Sequence, residues 1–253
     1  METDHALELT GVSRSFGGLK AVDNVSITVK RGTTHVIIGP NGAGKTTLFA
    51  LISGELGLGE GQIRLFGRDV SAWSATRRAH EGLGRTYQIT NIFADLSVEQ
   101  NVMLAVRGRR GQRFSLFKRD KPDAEMSEHV DAALSRCGLG DRRQMRAGDM
   151  SYGEQRLLEL SIAIGNDPKV LLLDEPAAGL SPAERGPMAD TIRRLAENLT
   201  IVLIEHDMGL ALGLADQVSC LYYGALLAEG TPDQIRADDR VQEVYFGGAG
   251  IGA

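Results

Sequence analysis

Cysteine is scarce in this chain. Only Cys137 and Cys220 occur among 253 residues, far apart and without the spacing of a metal or redox site. That usage fits a reduced cytosolic compartment rather than a disulfide-stapled secreted domain. Long apolar runs are missing too, since nothing approaches the ~18 to 20 residues that span a bilayer. The stretch from Met1 to Ala6 is acidic and lacks the apolar core of a signal peptide. Any membrane role is therefore expected to be peripheral. Nor is there an excess of positive charge: 28 basic residues face 33 acidic ones, a formal net charge of −5. This balance argues against nucleic acid as the main partner. There is no internal repeat and no long disordered tract. What remains is a chain long enough to bury a full core, as one large α/β unit or a core with a subdomain.

The most specific stretch present is Gly39, Pro40, Asn41, Gly42, Ala43, Gly44, Lys45, Thr46 and Thr47. It matches G-x-x-x-x-G-K-[ST], placed between an apolar run at Thr34 to Ile38 and a helical run from Thr46 to Ile52. Glycines let the backbone turn successive N–H groups toward phosphate oxygens, and the following helix N-terminus adds partial positive charge. Lys45 is placed to reach the β- and γ-phosphates and Thr46 to ligate Mg²⁺. A plain glycine-rich turn would not require the Lys-Thr pair. The chain is expected to bind a nucleoside triphosphate.

Around this loop the periodicity predicts an α/β fold. Leu7, Leu9 and Val12 begin a strand, and Val25, Ile27 and Val29 alternate with polar residues as a half-buried strand should. Ile63 and Leu65 add another, so a small antiparallel sheet is expected beside the phosphate-binding core. Ser74 to His80 and Leu96 to Val106 read as helices, with a strand leading into a loop from Gly82 to Gln88. Arg107 to Lys121 carries seven basic residues and one acid, read as a solvated loop rather than a lipid or nucleic-acid patch. Val130, Ala133, Leu134 and Cys137 fall on one helical face. Val170 to Leu173 is apolar throughout, as buried parallel strands are. Ser181, Pro182 and Glu184 mark a helix start, and Met188, Ile192 and Leu195 its buried stripe. Leu199 to Ile204 is the next strand, and residues 218 to 229 form a hairpin turning at Tyr223-Gly224. The predicted architecture is a P-loop NTPase core, a parallel sheet flanked by helices, over residues 1–88 and 166–253. It carries an N-terminal antiparallel β subdomain and an inserted α-helical subdomain over 89–165. All of it is expected to act as a single domain spanning 1–253.

The apolar strand from Val170 ends in Asp174-Glu175. Asp174 supplies a carboxylate for Mg²⁺ opposite Thr46, and Glu175 one that can orient or deprotonate the attacking water. Just ahead of that strand lies Met150-Ser151-Tyr152-Gly153-Glu154-Gln155-Arg156. It resembles the signature motif of ATP-binding cassette proteins, usually Leu-Ser-Gly-Gly-Gln. With the P-loop, Gln88 in Thr86-Tyr87-Gln88 and His206 after the last buried strand, the resemblance covers essentially the whole chain. It implies that Phe16 stacks on adenine, and that Gln88 senses Mg²⁺ and the attacking water in a loop facing a membrane subunit. It further implies that His206 contacts the γ-phosphate. Two cassettes would pair head to tail around two ATP molecules, with Ser151 and Gly153 completing the other subunit's site; Tyr152 and Glu154 belong to the same segment. Ser151 ahead of a helix is also a natural N-cap.

Two positions depart from the family pattern. Tyr152 replaces the first signature glycine, and Ala178-Gly179-Leu180-Ser181 replaces the usual Ser-Ala-Leu-Asp. With Ile204-Glu-His-Asp-Met208, Gly84-Arg-Thr-Tyr-Gln88 and the ending Val241 to Gly247, they resemble the ATPase of branched-chain amino-acid importers. That resemblance implies a cytoplasmic ATPase, peripheral on the inner membrane, working with ATP and Mg²⁺. Its implied partners are permease subunits, a second cassette, identical or paralogous, and indirectly a solute-binding protein. Relatives serve leucine, isoleucine and valine, but also urea, short amides or aromatic acids. A lipid or lipopolysaccharide export ATPase is the alternative within transport, and a soluble cassette acting on ribosomes or DNA the alternative outside it. The latter predicts fused cassettes, a long coiled coil or a basic surface. The chain instead has one P-loop and about a hundred residues between P-loop and signature.

Overall fold

The computed structural model describes residues 4–86, 92–109 and 124–246. Strands β1 (His5–Phe16) and β2 (Leu19–Lys30) pair antiparallel, with Leu7 opposite Val29 and Leu9 opposite Ile27. Val25, Ile27 and Val29 are buried and Ser26, Thr28 and Lys30 exposed, the two-residue period of a half-covered sheet. β3 (Thr34–Ile38) is buried at every position and runs into the phosphate-binding loop and α1 (Lys45–Ser53). β4 (Glu60–Leu65) and β5 (Arg68–Asp69) complete a four-stranded sheet in the order β2-β1-β4-β5. α2 (Ala75–His80) follows, capped by the Ser74 side chain, and then β6 (Leu83–Arg85).

Three helices come next. α3 (Val98–Arg109) starts two residues beyond Leu96, because Ser97 and Gln100 cap each other's amides at 3.2 and 2.9 Å. It also runs on through Arg107 to Arg109, so the first part of the basic segment is helical rather than loop. The rest of that segment, like Gln88, lies outside the described residues. α4 (Ala124–Arg136) buries Val130, Ala133 and Leu134, and α5 (Tyr152–Gly165) buries Leu158, Leu160 and Ile164 against them.

The remaining elements are β7 (Val170–Asp174), α6 (Pro182–Ala196), β8 (Thr200–Ile204), α7 (Met208–Leu214), β9 (Gln217–Tyr222), β10 (Ala225–Gly230), α8 (Pro232–Ala237) and α9 (Asp239–Phe246). The large sheet has the order β10-β9-β3-β8-β7-β6, parallel except for β10. Its central strands divide two hydrophobic cores residue by residue. Val36, Ile38, Leu171, Leu173, Ile201 and Leu203 join the core under α3 to α6. Ile37, Val170, Leu172, Val202 and Ile204 join the other, with Leu48, Phe49 and Ile52 of α1 and the antiparallel sheet. Burial on both faces is why these strands read as unbroken apolar runs. Each such side chain contributes roughly 1.5–3 kcal/mol relative to exposure. Among the described residues no helix is long and apolar enough to cross a membrane.

β3, β8 and β7 lie side by side in register, with Ile37 opposite Ile204 and Ile204 opposite Asp174. Their carboxyl ends are level, and the crevice above such ends is where open α/β sheets bind ligands.

Candidate nucleotide site

The loop after β3 takes its shape from three glycines. Gly39, Gly42 and Gly44 have φ of 151°, 81° and 98°. A Cβ at Gly39 would stand 2.3 Å from the Leu221 carbonyl, and one at Gly44 2.3 Å from that of Ala21. The loop is thus pressed between β9 and β2, and at those two positions only glycine fits. The amino end of α1 has no side-chain cap, so its first amides remain for an anion. Lys45 is buried and folds back over the loop, its Nζ donating to the Gly39 carbonyl at 2.6 Å and that of Pro40 at 3.0 Å. Burial lowers its pKa, opposed by the carboxylates of Glu175 and Asp174.

Those two carboxylates sit at the end of β7. Asp174 is buried; desolvation raises its pKa, opposed chiefly by Arg85, whose Nη2 lies 3.4 Å away. Thr46, in the first turn of α1 directly after the loop, is exposed. A threonine hydroxyl and a carboxylate are hard oxygen donors of the kind Mg²⁺ takes, and Mg²⁺ fills its other positions with phosphate oxygens and water. Glu175 adopts φ 48°, a left-handed conformation costing about 1–3 kcal/mol for a non-glycine residue. The turn is fixed on both sides: the Glu175 amide donates to the Ile204 carbonyl, and the Ala178 amide to that of Glu175, each at 3.0 Å. The half-exposed His206 imidazole points its Nδ1 toward the Glu175 carboxylate at 3.9 Å.

Three side chains that hold this site together are assigned a role by no sequence motif. Glu205 is 1% exposed and accepts from the amides of His206 (3.0 Å), Asp207 (3.3 Å) and Ala177 (3.4 Å). One buried carboxylate therefore pins the turn after Glu175 to the loop carrying His206. Burial keeps its pKa raised despite these donors. In sequence it is merely the first polar residue after an apolar strand. Arg78, also 1% exposed, donates to the carbonyls of Leu51 (2.6 Å), Ile52 (2.7 Å), Ser71 (3.1 Å) and Trp73 (3.2 Å), closing the carboxyl end of α1. Arg85 joins Asp174 to Ser53 and Glu55, whose oxygens lie 2.9 and 3.0 Å from its Nη1. No motif marks an arginine for carbonyls brought together only by folding.

Ser151 caps α5, its Oγ accepting from the Glu154 amide at 3.3 Å while Glu154 accepts from the Ser151 amide at 2.9 Å. Tyr152 donates to the Ala178 carbonyl and accepts from Arg156, and the Gly153 amide donates to Glu184. Phe16 lies at the tip of the β1–β2 hairpin, 48% exposed rather than in the core, with the Arg14 guanidinium 5.3 Å from its ring centre. A cleft of about 380 Å³ lies between Glu55, Thr76, His80, Arg85, Ile162 and Ala163.

Residues 22–178 match the family model described as ABC transporter, and 225–251 that described as branched-chain amino acid ATP-binding cassette transporter. The chain is 36% identical over 250 residues to the high-affinity branched-chain amino acid transport ATP-binding protein BraF of Pseudomonas aeruginosa, covering 96% of this chain and 98% of that protein. It is 36% identical, with the same coverage, to LivG of Escherichia coli, which carries the same description. A solved ATP-binding cassette of an ABC transporter in its ADP conformation superposes with a TM-score of 0.84 at 29% identity, over 97% of this chain and 100% of that one.

Proposed function

The chain belongs to the ATP-binding cassette family of transporter ATPases, and from that premise we propose that it powers an importer of branched-chain amino acids or related amides and small acids. The proposed location is the cytoplasmic face of the inner membrane, where the chain is peripheral. The cargo assignment is supported by the match over residues 225–251 and by the descriptions of BraF and LivG. The observation that carries the catalytic reading is the convergence of Lys45, Asp174, Glu175 and His206 on the level ends of three adjacent strands.

In this reading Lys45 exchanges the Gly39 and Pro40 carbonyls for the β- and γ-phosphates, a move needing only rotation of its stem. Mg²⁺, held by Thr46 and Asp174 when bound, supplies neutralisation of phosphate charge. Glu175 orients the attacking water and takes its proton, and His206 reaches the γ-phosphate from the neighbouring strand. Phe16 presents an exposed ring to the adenine. Ser151 and Gly153 complete the nucleotide site of a second cassette, so turnover requires a dimer. The cleft beside Arg85 receives a permease segment, and Arg85 links that cleft to Asp174 through its contacts with Glu55 and Asp174.

Two substitutions test the chemistry. Glu175→Gln should keep ATP binding, slow hydrolysis at least a hundredfold and leave an ATP-dependent dimer visible by size exclusion; hydrolysis at the parent rate would remove Glu175 as the base. Lys45→Ala should abolish nucleotide binding. For the transport assignment, the tagged chain is pulled from native membranes in mild detergent. Two permeases, a second cassette and an amino-acid-binding protein are the expected companions. Lipid-export components, or ribosomal proteins in a soluble fraction, would overturn it.

A further inference from the structure

The two departures from the family pattern touch each other. Tyr152, at the start of α5, turns its ring onto the segment that follows Glu175. Its hydroxyl donates to the Ala178 carbonyl at 3.3 Å and accepts from Arg156 Nε at 3.0 Å. Arg156 is itself buried, held by Glu159 at 2.9 Å, with its guanidinium carbon 5.2 Å from the tyrosine ring centre. The hydroxyl is therefore held from both sides. Gly179 lies directly under the ring at φ 77°, and a Cβ there would stand 3.1 Å from Tyr152 Cε1 and 3.3 Å from its hydroxyl. Bulk missing at position 179 is supplied from position 152. A large residue in one segment and a missing methyl in the other form one packed unit.

A second strap runs alongside. The Gly153 amide donates to Glu184 Oε1 at 3.2 Å, and Glu184 Oε2 accepts from the Ser181 amide at 2.9 Å and hydroxyl at 2.6 Å. A Cβ on Gly153 would come within 2.6 Å of Glu184 Oε1, so this contact too depends on a glycine. The starts of α5 and α6 are thus joined through one carboxylate. On the other side, the Ala178 amide holds the Glu175 carbonyl, so Tyr152 grips the same residue that fixes the strained turn of Glu175.

We propose that Tyr152 is a positioning residue that ties the amino end of α5 to the turn of Glu175. Seating Ser151 on the nucleotide of a second cassette thereby sets the Glu175 carboxylate over the nucleotide bound to its own chain. The inference rests on the dimeric ATPase described above. It makes Tyr152 part of the link between two nucleotides rather than a wall of either. Two short connections carry the coupling: tyrosine hydroxyl to Ala178 carbonyl, and Ala178 amide to Glu175 carbonyl.

The test compares the parent transporter complex with versions carrying Tyr152→Phe, Tyr152→Gly or Glu175→Gln. Tyr152→Phe keeps the ring over Gly179 and removes both hydrogen bonds. It should lower kcat three- to tenfold, the size of a lost neutral hydrogen bond, with KM for ATP at the parent value and only a small fall in Tm, because Tyr152 is 42% exposed and water can replace its lost partners. Tyr152→Gly, which also empties the space beside Gly179, should lower kcat further. An unchanged kcat for Tyr152→Phe would overturn the proposal. So would a fall in kcat accompanied by a matching fall in Tm, which would mark a merely structural role. Parent-rate hydrolysis by the Glu175→Gln complex would instead overturn the catalytic reading beneath the proposal, whatever Tyr152→Phe does.

Discussion

At the scale of single residues, the site depends on buried polar groups whose partners are mostly backbone. Glu205 serves three amides at once, so Glu205→Gln must set an NH₂ group against at least one N–H donor. The expected result is a stability loss of about 1–3 kcal/mol in urea unfolding and a kcat at least tenfold lower, with ATP affinity retained because the P-loop is untouched. His35 makes a different statement. It is buried between strands, 2.8 Å from Ser219 Oγ and 3.8 Å from Glu229 Oε1, and desolvation lowers its pKa from 6.5 to about 4. Between those values the unfolded chain binds more protons than the folded one, so stability falls as pH drops from 6.5 toward 4. At 1.36 kcal/mol per pH unit, the full loss is about 3 kcal/mol. Glu229, whose carboxyl burial holds above its ordinary value, gains protons on folding and offsets part of this. Unfolding midpoints at pH 6.5 and 4.5 should therefore differ more in the parent than in His35→Gln.

At the scale of elements, the α1 helix is fastened at both ends by devices of different legibility. Its amino end is the glycine loop, plain in the sequence. Gly44→Ala would put a methyl 2.3 Å from the Ala21 carbonyl at φ 98°, and should abolish ATP binding in isothermal titration and lower Tm by several degrees. Its carboxyl end is closed by Arg78, which no periodicity reveals, because Leu51, Ile52, Ser71 and Trp73 converge only after folding. Arg78→Met keeps the stem and orphans those carbonyls. A loss of about 2–4 kcal/mol by urea unfolding is expected, read together with weaker ATP binding if the helix end loosens. The strands were legible because burial on both faces demands unbroken apolar runs, as at Val170 to Leu173. Starts of helices were legible where a cap is local, as at Ser151, Ser181 and Ser74. The role of Phe16 came only from the resemblance, and its exposure follows from where the β1–β2 hairpin ends.

At the scale of the whole molecule, the phosphate-binding loop and the cleft proposed to receive a permease segment are lined by different residues. The loop of Lys45 opens at the strand ends, while the cleft lined by Ile162 and Ala163 lies between α5 and the α1–α2 region. Ala163→Trp should fill that cleft. Permease co-purification from membranes should then be lost while the isolated chain still binds ATP; retained co-purification would separate the cleft from the permease.

By itself the sequence determined the chemistry and the lineage. A P-loop, an Asp-Glu strand end and a signature segment are short, contiguous motifs whose function needs only local backbone geometry, so residue order suffices to reveal them. Tertiary structure decided what joins them. Glu205 beneath the Glu175 turn, Arg85 beside Asp174 and Tyr152 over Gly179 are contacts between segments distant in the chain. Each depends on parallel strands ending level and on two helices starting side by side. The physical reason is that a hydrogen bond or a packed ring is satisfied by distance in space, which residue order alone does not contain.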